Sequence, residues 1–170
     1  MLATYLTRGL QLIMAVIVLG MSITAAKWQG AGSVPATTAF AAFVGAFGVL
    51  VAIIGLVAAR IDSIPNLIMA GLDGLTSVLM LAGGIAFAVK LSGIDCGTSD
   101  EYHNSFDNEL VNGGCVEIRG NTICSMDGWE EVAGRCRTVE ADAAFLFLGF
   151  VACVAAAALC FMAQKRGRAV

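Results

Sequence analysis

Four long apolar runs divide the chain, at residues 5–26, 36–59, 66–91 and 141–163. A helix crossing the hydrocarbon core of a bilayer needs roughly 20 predominantly apolar residues, and each run meets that length. The pattern predicts an all-α membrane protein: an antiparallel bundle of four transmembrane helices, read as one domain over residues 1–170. The apolar part of the first run, residues 9–26, exceeds the roughly 7–15 residues of a signal-peptide core. It is therefore read as a retained helix.

Within the runs, small and polar positions fall at helical spacing. Arg8, Gln11, Ala15, Val18, Ser22 and Ala25 form one stripe on helix 1, and Ile13, Ile17 and Ile23 lie opposite. Arg8 and Gln11 are thereby aimed into a bundle; the alternative for Arg8 alone is a snorkelling topology anchor. On helix 2 the stripe is Ala41, Gly45, Gly48, Ala52, Gly55 and Ala59. On helix 3 it is Ala70, Gly74, Ser77, Leu81, Gly84 and Ala88. Small residues let helix backbones approach closely in lipid. Asp73 is the one acid read well inside a span, and an intramembrane acid needs a partner. A polar cluster of Arg8, Gln11 and Asp73 is expected near the cytoplasmic side. Asp62 or Ser63 is expected to cap helix 3, with Pro65 near its first turn.

Between the third and fourth runs lies a polar interval, residues 92–140, with Cys96, Cys115, Cys124 and Cys136 and ten of the thirteen acidic residues. Four cysteines so close together point to disulfides, hence to an extracellular or lumenal loop. Residues 115–124 read as a β-hairpin about Arg119-Gly120, which places Cys115 opposite Cys124, Val116 opposite Ile123, Glu117 opposite Thr122 and Ile118 opposite Asn121. Nested disulfides follow, Cys115–Cys124 inside Cys96–Cys136. His103, the only histidine, has no companion at metal-ligand spacing, so no metal and no cofactor is expected. Cys153 and Cys160 are seven apart on one face of helix 4 and read as buried small hydrophobes; palmitoylation of Cys160 is the alternative.

Composition agrees: 58% hydrophobic, 14% charged, mean hydropathy +0.83. The net charge of −3 comes from the loop and argues against nucleic-acid binding. Five basic residues would lie inside (Arg8, Arg60, Lys165, Arg166, Arg168) and five outside (Lys27, Lys90, Arg119, Arg135, Arg137). Charge counting alone gives no orientation. The disulfides and the basic tail place both termini in the cytoplasm.

This arrangement resembles the fungal MARVEL-domain family of four-helix membrane-associating proteins. The resemblance rests on Arg8-Gly-Leu-Gln11-Leu and Val18-Leu-Gly-Met-Ser22 in helix 1, and on Gly71-Leu-Asp73-Gly-Leu in helix 3. It also rests on Cys136-Arg-Thr-Val-Glu-Ala-Asp-Ala-Ala-Phe145 at helix 4. The long four-cysteine loop departs from compact members. Tetraspanins fit less well, because Gly113-Gly114-Cys115 stands where a Cys-Cys-Gly signature would be needed. Claudin-like proteins carry their large loop after helix 1. The resemblance implies organisation of plasma-membrane microdomains, membrane apposition or vesicle traffic, without catalysis.

Three functions compete. The first is a non-catalytic membrane organiser that works as a homo-oligomer or array and contacts lipids, with sterols and sphingolipids as candidates. The second is a small ion- or proton-coupled transporter or channel using Asp73. The third is a vesicle-trafficking adaptor in secretory-pathway membranes. A thiol-redox enzyme is disfavoured because no Cys-X-X-Cys occurs. Small residues off the stripes (Ala42, Ala46, Gly71, Gly83, Ala152 and Ala156) are read as contacts between protomers. Loop residues Phe106 and Trp129, with Leu110, Val111, Val116, Ile118, Ile123 and Met126, are read as an apolar contact patch.

Overall fold

The computed structural model describes residues 2–61, 65–96, 108–118, 121–125 and 128–168. Four helices long and apolar enough to cross a membrane dominate it. They are α1 (Leu2–Lys27), α2 (Ala36–Ile61), α3 (Asn66–Lys90) and α4 (Trp129–Arg168). Strands β1 (Cys115–Ile118) and β2 (Asn121–Cys124) lie between α3 and α4. The helices close a ring through the neighbouring pairs α1–α2, α2–α3, α3–α4 and α4–α1. As numbers rise along α1, partners fall along α2: Tyr5 meets Ala59, Arg8 meets Gly55, Ala15 meets Gly48 and Leu19 meets Gly45.

The buried positions of α1 are Arg8, Gln11, Ala15, Val18, Ser22 and Ala25, the stripe read from the sequence. Five of the six expected positions on α2, from Ala41 to Gly55, are buried, and Ala59 is half-buried. A Cβ on Gly45 would lie 2.7 Å from the backbone nitrogen of Leu19 and 2.9 Å from its Cα. At that crossing the two backbones touch, and only glycine admits the approach.

Helix α3 is rotated by one residue from the expected stripe. Its buried face is Met69, Asp73, Thr76, Ser77, Met80, Gly83, Gly84 and Phe87, whereas Ala88 is exposed and Ala70, Gly74 and Leu81 are half-buried. The small-residue template loses here to the gain from burying Asp73 beside a cation together with the large Met80 and Phe87 side chains. The expected caps Asp62 and Ser63 lie outside the described residues. Pro65 occupies the N-cap itself, where its carbonyl accepts from Ile68 and Met69.

Helix α4 starts at Trp129, twelve residues before the expected start at 141. Its 40 residues extend about 60 Å at 1.5 Å per residue, twice the hydrocarbon thickness. The additional turns are charged on their outer side, with Glu130 and Glu131 in the first turn, where acids suit the helix dipole. Val132, Cys136 and Val139 are buried on the inner side. Cys136 bonds Cys96, just beyond the end of α3, with Cα atoms 5.5 Å apart.

The segment after α3 is tied down at several points. Asn108 Nδ2 donates to the carbonyl of Lys90 at 2.6 Å, one of the orphan acceptors at the end of α3. Leu110 and Val111 are buried within the same apolar cluster as Val18, Val44, Phe87 and Val139. These two loop residues therefore close the top of the bundle and are not part of an exposed patch. Gly30 and Ala31 donate to the carbonyl of Gly113, at 2.8 and 3.4 Å. Gly113 and Gly114 both have positive φ, and a side chain on Gly114 would collide with the carbonyl of Ala31. The hairpin is antiparallel, pairing Cys115 with Cys124, Val116 with Ile123, Glu117 with Thr122 and Ile118 with Asn121. Cys115 and Cys124 are bonded, with Cα atoms 3.9 Å apart. Its turn, Arg119-Gly120, lies outside the described residues, as do His103, Phe106 and Met126 and the side chains of Ile123 and Trp129.

Two substitutions separate close packing from free surface. Gly45→Ala should lower stability by about 1–3 kcal/mol through overpacking at the α1–α2 crossing. Gly71→Ala, whose Cβ would meet nothing within 4 Å, should be neutral or slightly stabilising, as alanine is the better helix former. Thermal unfolding in one detergent ranks them; equal melting shifts would contradict the crossing. Removing the Cys96–Cys136 bridge by paired serine substitution should cost about 2–4 kcal/mol in the same assay. Proteolysis without reductant should release Cys96 linked to Cys136 and Cys115 linked to Cys124.

Candidate functional site

The most polar place inside the bundle is built around Arg8. Its stripe aims it across the ring at α3, its diagonal neighbour. The guanidinium is 2% exposed and its Nη1 lies 2.5 Å from Asp73 Oδ1, with Asp73 fully buried. Nη1 also donates to Gln11 Oε1 at 2.8 Å, and Nη2 donates to the thiol of Cys160 on α4 at 3.3 Å. Gln11 Nε2 donates to the same Asp73 Oδ1 at 3.0 Å. The fourth helix contributes by absence. A Cβ on Gly55 of α2 would sit 2.6 Å from Arg8 Nε, so glycine there makes the passage for the side chain. All four helices thus meet at one arginine.

Arg8, Gln11 and Asp73, singled out from the sequence, stand together. Cys160, read as a small hydrophobe or a lipidation site, is buried and accepts from Arg8. Its inward placement removes the surface thiol that palmitoylation requires. Asp73 Oδ2 has no hydrogen-bond partner among the described residues.

A second buried polar pair lies nearer the loop and was missed by the sequence reading. Asp142 of α4 is 1% exposed and accepts a 2.7 Å hydrogen bond at Oδ2 from Ser22 of α1. Its Oδ1 has no partner among the described residues. The expected helix began at residue 141, which placed Asp142 at an interface. The observed helix begins three turns earlier and carries it into the core. The available signal was the spacing of Cys136, Val139, Asp142 and Ala143, which continues one helical face.

The two polar pairs do not connect. Gln11 and Ser22 are separated by eleven residues of α1, about 16 Å at 1.5 Å per residue. Ala15, Val18, Met80 and Leu146, all within 1% of full burial, fill the space between. Gly48 and Gly149 give Met80 room to cross it. Among the described residues, no group of three or more His, Cys, Asp or Glu is gathered to hold a metal ion.

Of the off-stripe small residues expected between protomers, three are used inside one chain. Gly83 packs on Leu146, and Ala152 and Ala156 are buried. Gly71 is exposed, and Ala42 and Ala46 are half-buried.

Arg8→Met should strand Asp73 in an apolar interior and cost about 3–5 kcal/mol, whereas Arg8→Met with Asp73→Leu should recover most of the loss. Chemical unfolding of the four members of this double-mutant cycle measures it; additive losses would mean that the two side chains do not act as a pair.

The architecture and the polar cluster can be set against known proteins. The family model of the MARVEL membrane-associating domain matches residues 1–159. No curated protein and no solved structure gives a match. The matched span takes in α1, α2, α3, the cysteine hairpin and most of α4 with Arg8, Asp73 and Asp142, and the chain belongs to the MARVEL membrane-associating family.

Proposed function

We propose that this protein is a non-catalytic organiser of the plasma membrane, an antiparallel four-helix bundle that self-associates and recruits lipids or partner proteins. In this reading both termini face the cytoplasm and the disulfide-bonded segment faces outside. The end of the bundle with Arg60, Lys165 and Arg168 lies opposite the cysteine end, which suits an anionic cytoplasmic leaflet.

The observation that carries the reading is the closure of the polar interior. Arg8 uses its charge on Asp73 within the chain, and the apolar layer of Val18, Met80 and Leu146 separates that pair from Ser22–Asp142. A transport path needs polar groups lining a continuous cavity. Here the groups act as internal ties. The outer surface is broadly apolar, with Leu50, Ile68, Val78, Leu148 and Val151 exposed, as a lipid-facing or partner-facing surface requires. Gly71, open on the outer face of α3, would allow a second helix to approach closely.

Transport has one observation in its favour, one carboxylate oxygen each on Asp73 and Asp142 without a hydrogen-bond partner among the described residues. Reconstitution in liposomes decides between the two: Asp73→Asn should leave ion and proton flux at the protein-free level of the unsubstituted chain. A current that Asp73→Asn abolishes in a folded protein would replace the organiser by a transporter. Crosslinking in intact membranes should trap dimers and larger species. Gly71→Leu, Phe106→Ala or Trp129→Ala should reduce them. A monomer at every surface density would refute self-association.

A further inference from the structure

At the basic end of the bundle, α1 and α2 leave a groove of about 380 Å³ lined by Tyr5, Leu56, Val57 and Arg60. Its size falls in the roughly 300–1,000 Å³ range of small-molecule sites. Its two parts differ in chemistry. Leu56 and Val57 form an apolar wall, and Val57 is half exposed to the lipid side. Arg60, in the last turn of α2, stands at the mouth.

The mouth is ordered by Tyr5. Its hydroxyl donates to the carbonyl of Ala59 at 3.2 Å, one of the carbonyls that the end of α2 leaves without a helical partner. That bond fixes the ring, and the Arg60 guanidinium lies over it, 5.8 Å from the centroid. Stacking holds the planar fork but uses none of its five N–H donors. Among the described residues Arg60 has no acidic partner. These donors match the phosphate oxygens of an anion arriving from the membrane surface.

We propose that this groove binds one phospholipid with a net anionic headgroup, its phosphate on Arg60 and an acyl chain along Leu56 and Val57. Charge complementarity selects the occupant. A zwitterionic lipid offers the same phosphate but brings an ammonium group to the cationic mouth with no net charge to offset it, so the net anionic headgroup is favoured. A second copy of this chain docked through a two-fold contact at this face would bring its own Arg60 toward the same mouth. Planar, bidentate recognition of phosphate is the task to which arginine is suited. This site is separate from the self-association reading: it needs a bilayer lipid and holds for a monomer.

Native mass spectrometry of the full chain in detergent, titrated with phosphatidylserine or phosphatidylcholine, tests it. The unsubstituted protein should retain one phosphatidylserine at least about fivefold better than phosphatidylcholine, the preference expected from one basic residue at the membrane surface. Arg60→Gln should remove that preference, Arg60→Lys should keep part of it, and Val57→Trp should lower retention of both lipids by filling the wall. Substituting glutamine for Lys165, Arg166 and Arg168 together should leave the preference in place. Helicity and melting temperature of each variant show that it is folded. Equal retention of the two lipids would overturn the proposal. So would an Arg60→Gln protein that still prefers phosphatidylserine, or loss of the preference in the tail variant. Displacement of the bound lipid by soluble glycerophosphoserine would overturn the part assigned to the apolar wall.

Discussion

The bundle depends on one long side chain reaching across its diagonal. Neighbouring helices meet through small residues, but α1 and α3 are not neighbours, and the long side chain of Arg8, with Gln11 beside it, spans the gap to Asp73. Arg8 passes over Gly55, ends on Asp73 and touches Cys160 on the way. In an apolar medium neither charge can be left alone. The pair therefore sets the rotation of α1 and α3 about their axes, and Gly55 and Cys160 set how α2 and α4 sit against it. A buried ion pair is weak evidence of net stabilisation, because desolvation offsets much of the attraction. Its contribution here is to specify one arrangement among helices that otherwise offer similar apolar surfaces.

The opposite end is held by different means. Leu110 and Val111 enter the core from above, Asn108 answers an orphan carbonyl of α3, and Gly30 joins the α1–α2 link to Gly113. The Cys96–Cys136 bond ties the end of α3 to α4. A loop anchored at this many points behaves as a lid integral to the bundle. Among the described residues it presents outward the hairpin, with Glu117 and Ile118 exposed, beside the charged outer side of α4. Partner recognition outside the membrane would fall on those surfaces.

The chemistry of the molecule thus divides by location. Its strongest polar interactions are internal and closed, which would suit the non-catalytic role proposed above. Its open features lie at the perimeter: the apolar belt, the hairpin, and the Tyr5–Arg60 groove. The proposed organiser would act through such a perimeter, which a rigid interior would keep constant.

Much of this was legible in the residues. The α1 stripe could be read because Arg8, Gln11, Ser22 and the small residues fall on one helical face, and the Cys115–Cys124 pairing followed from strand register, which left Cys96 for Cys136. The α3 register was misread. Small residues recur on two faces of that helix, and the stripe through Gly74 competes with the face through Asp73 that the expected Arg8–Gln11–Asp73 cluster requires. The early start of α4 was hidden for a related reason. Beyond the membrane the helix is amphipathic, so the charges of Glu130, Glu131, Arg135 and Arg137 mask the buried Val132, Cys136 and Val139 to any test based on continuous apolarity. Asp142 went unread as a consequence. The sequence by itself determined that four segments are long, apolar helices and that Arg8, Gln11 and Asp73 are satisfied inside, because lipid penalises every unpaired polar group. Only the tertiary structure decided which of those inside residues meet, because that depends on the distance and rotation between helices far apart in the chain.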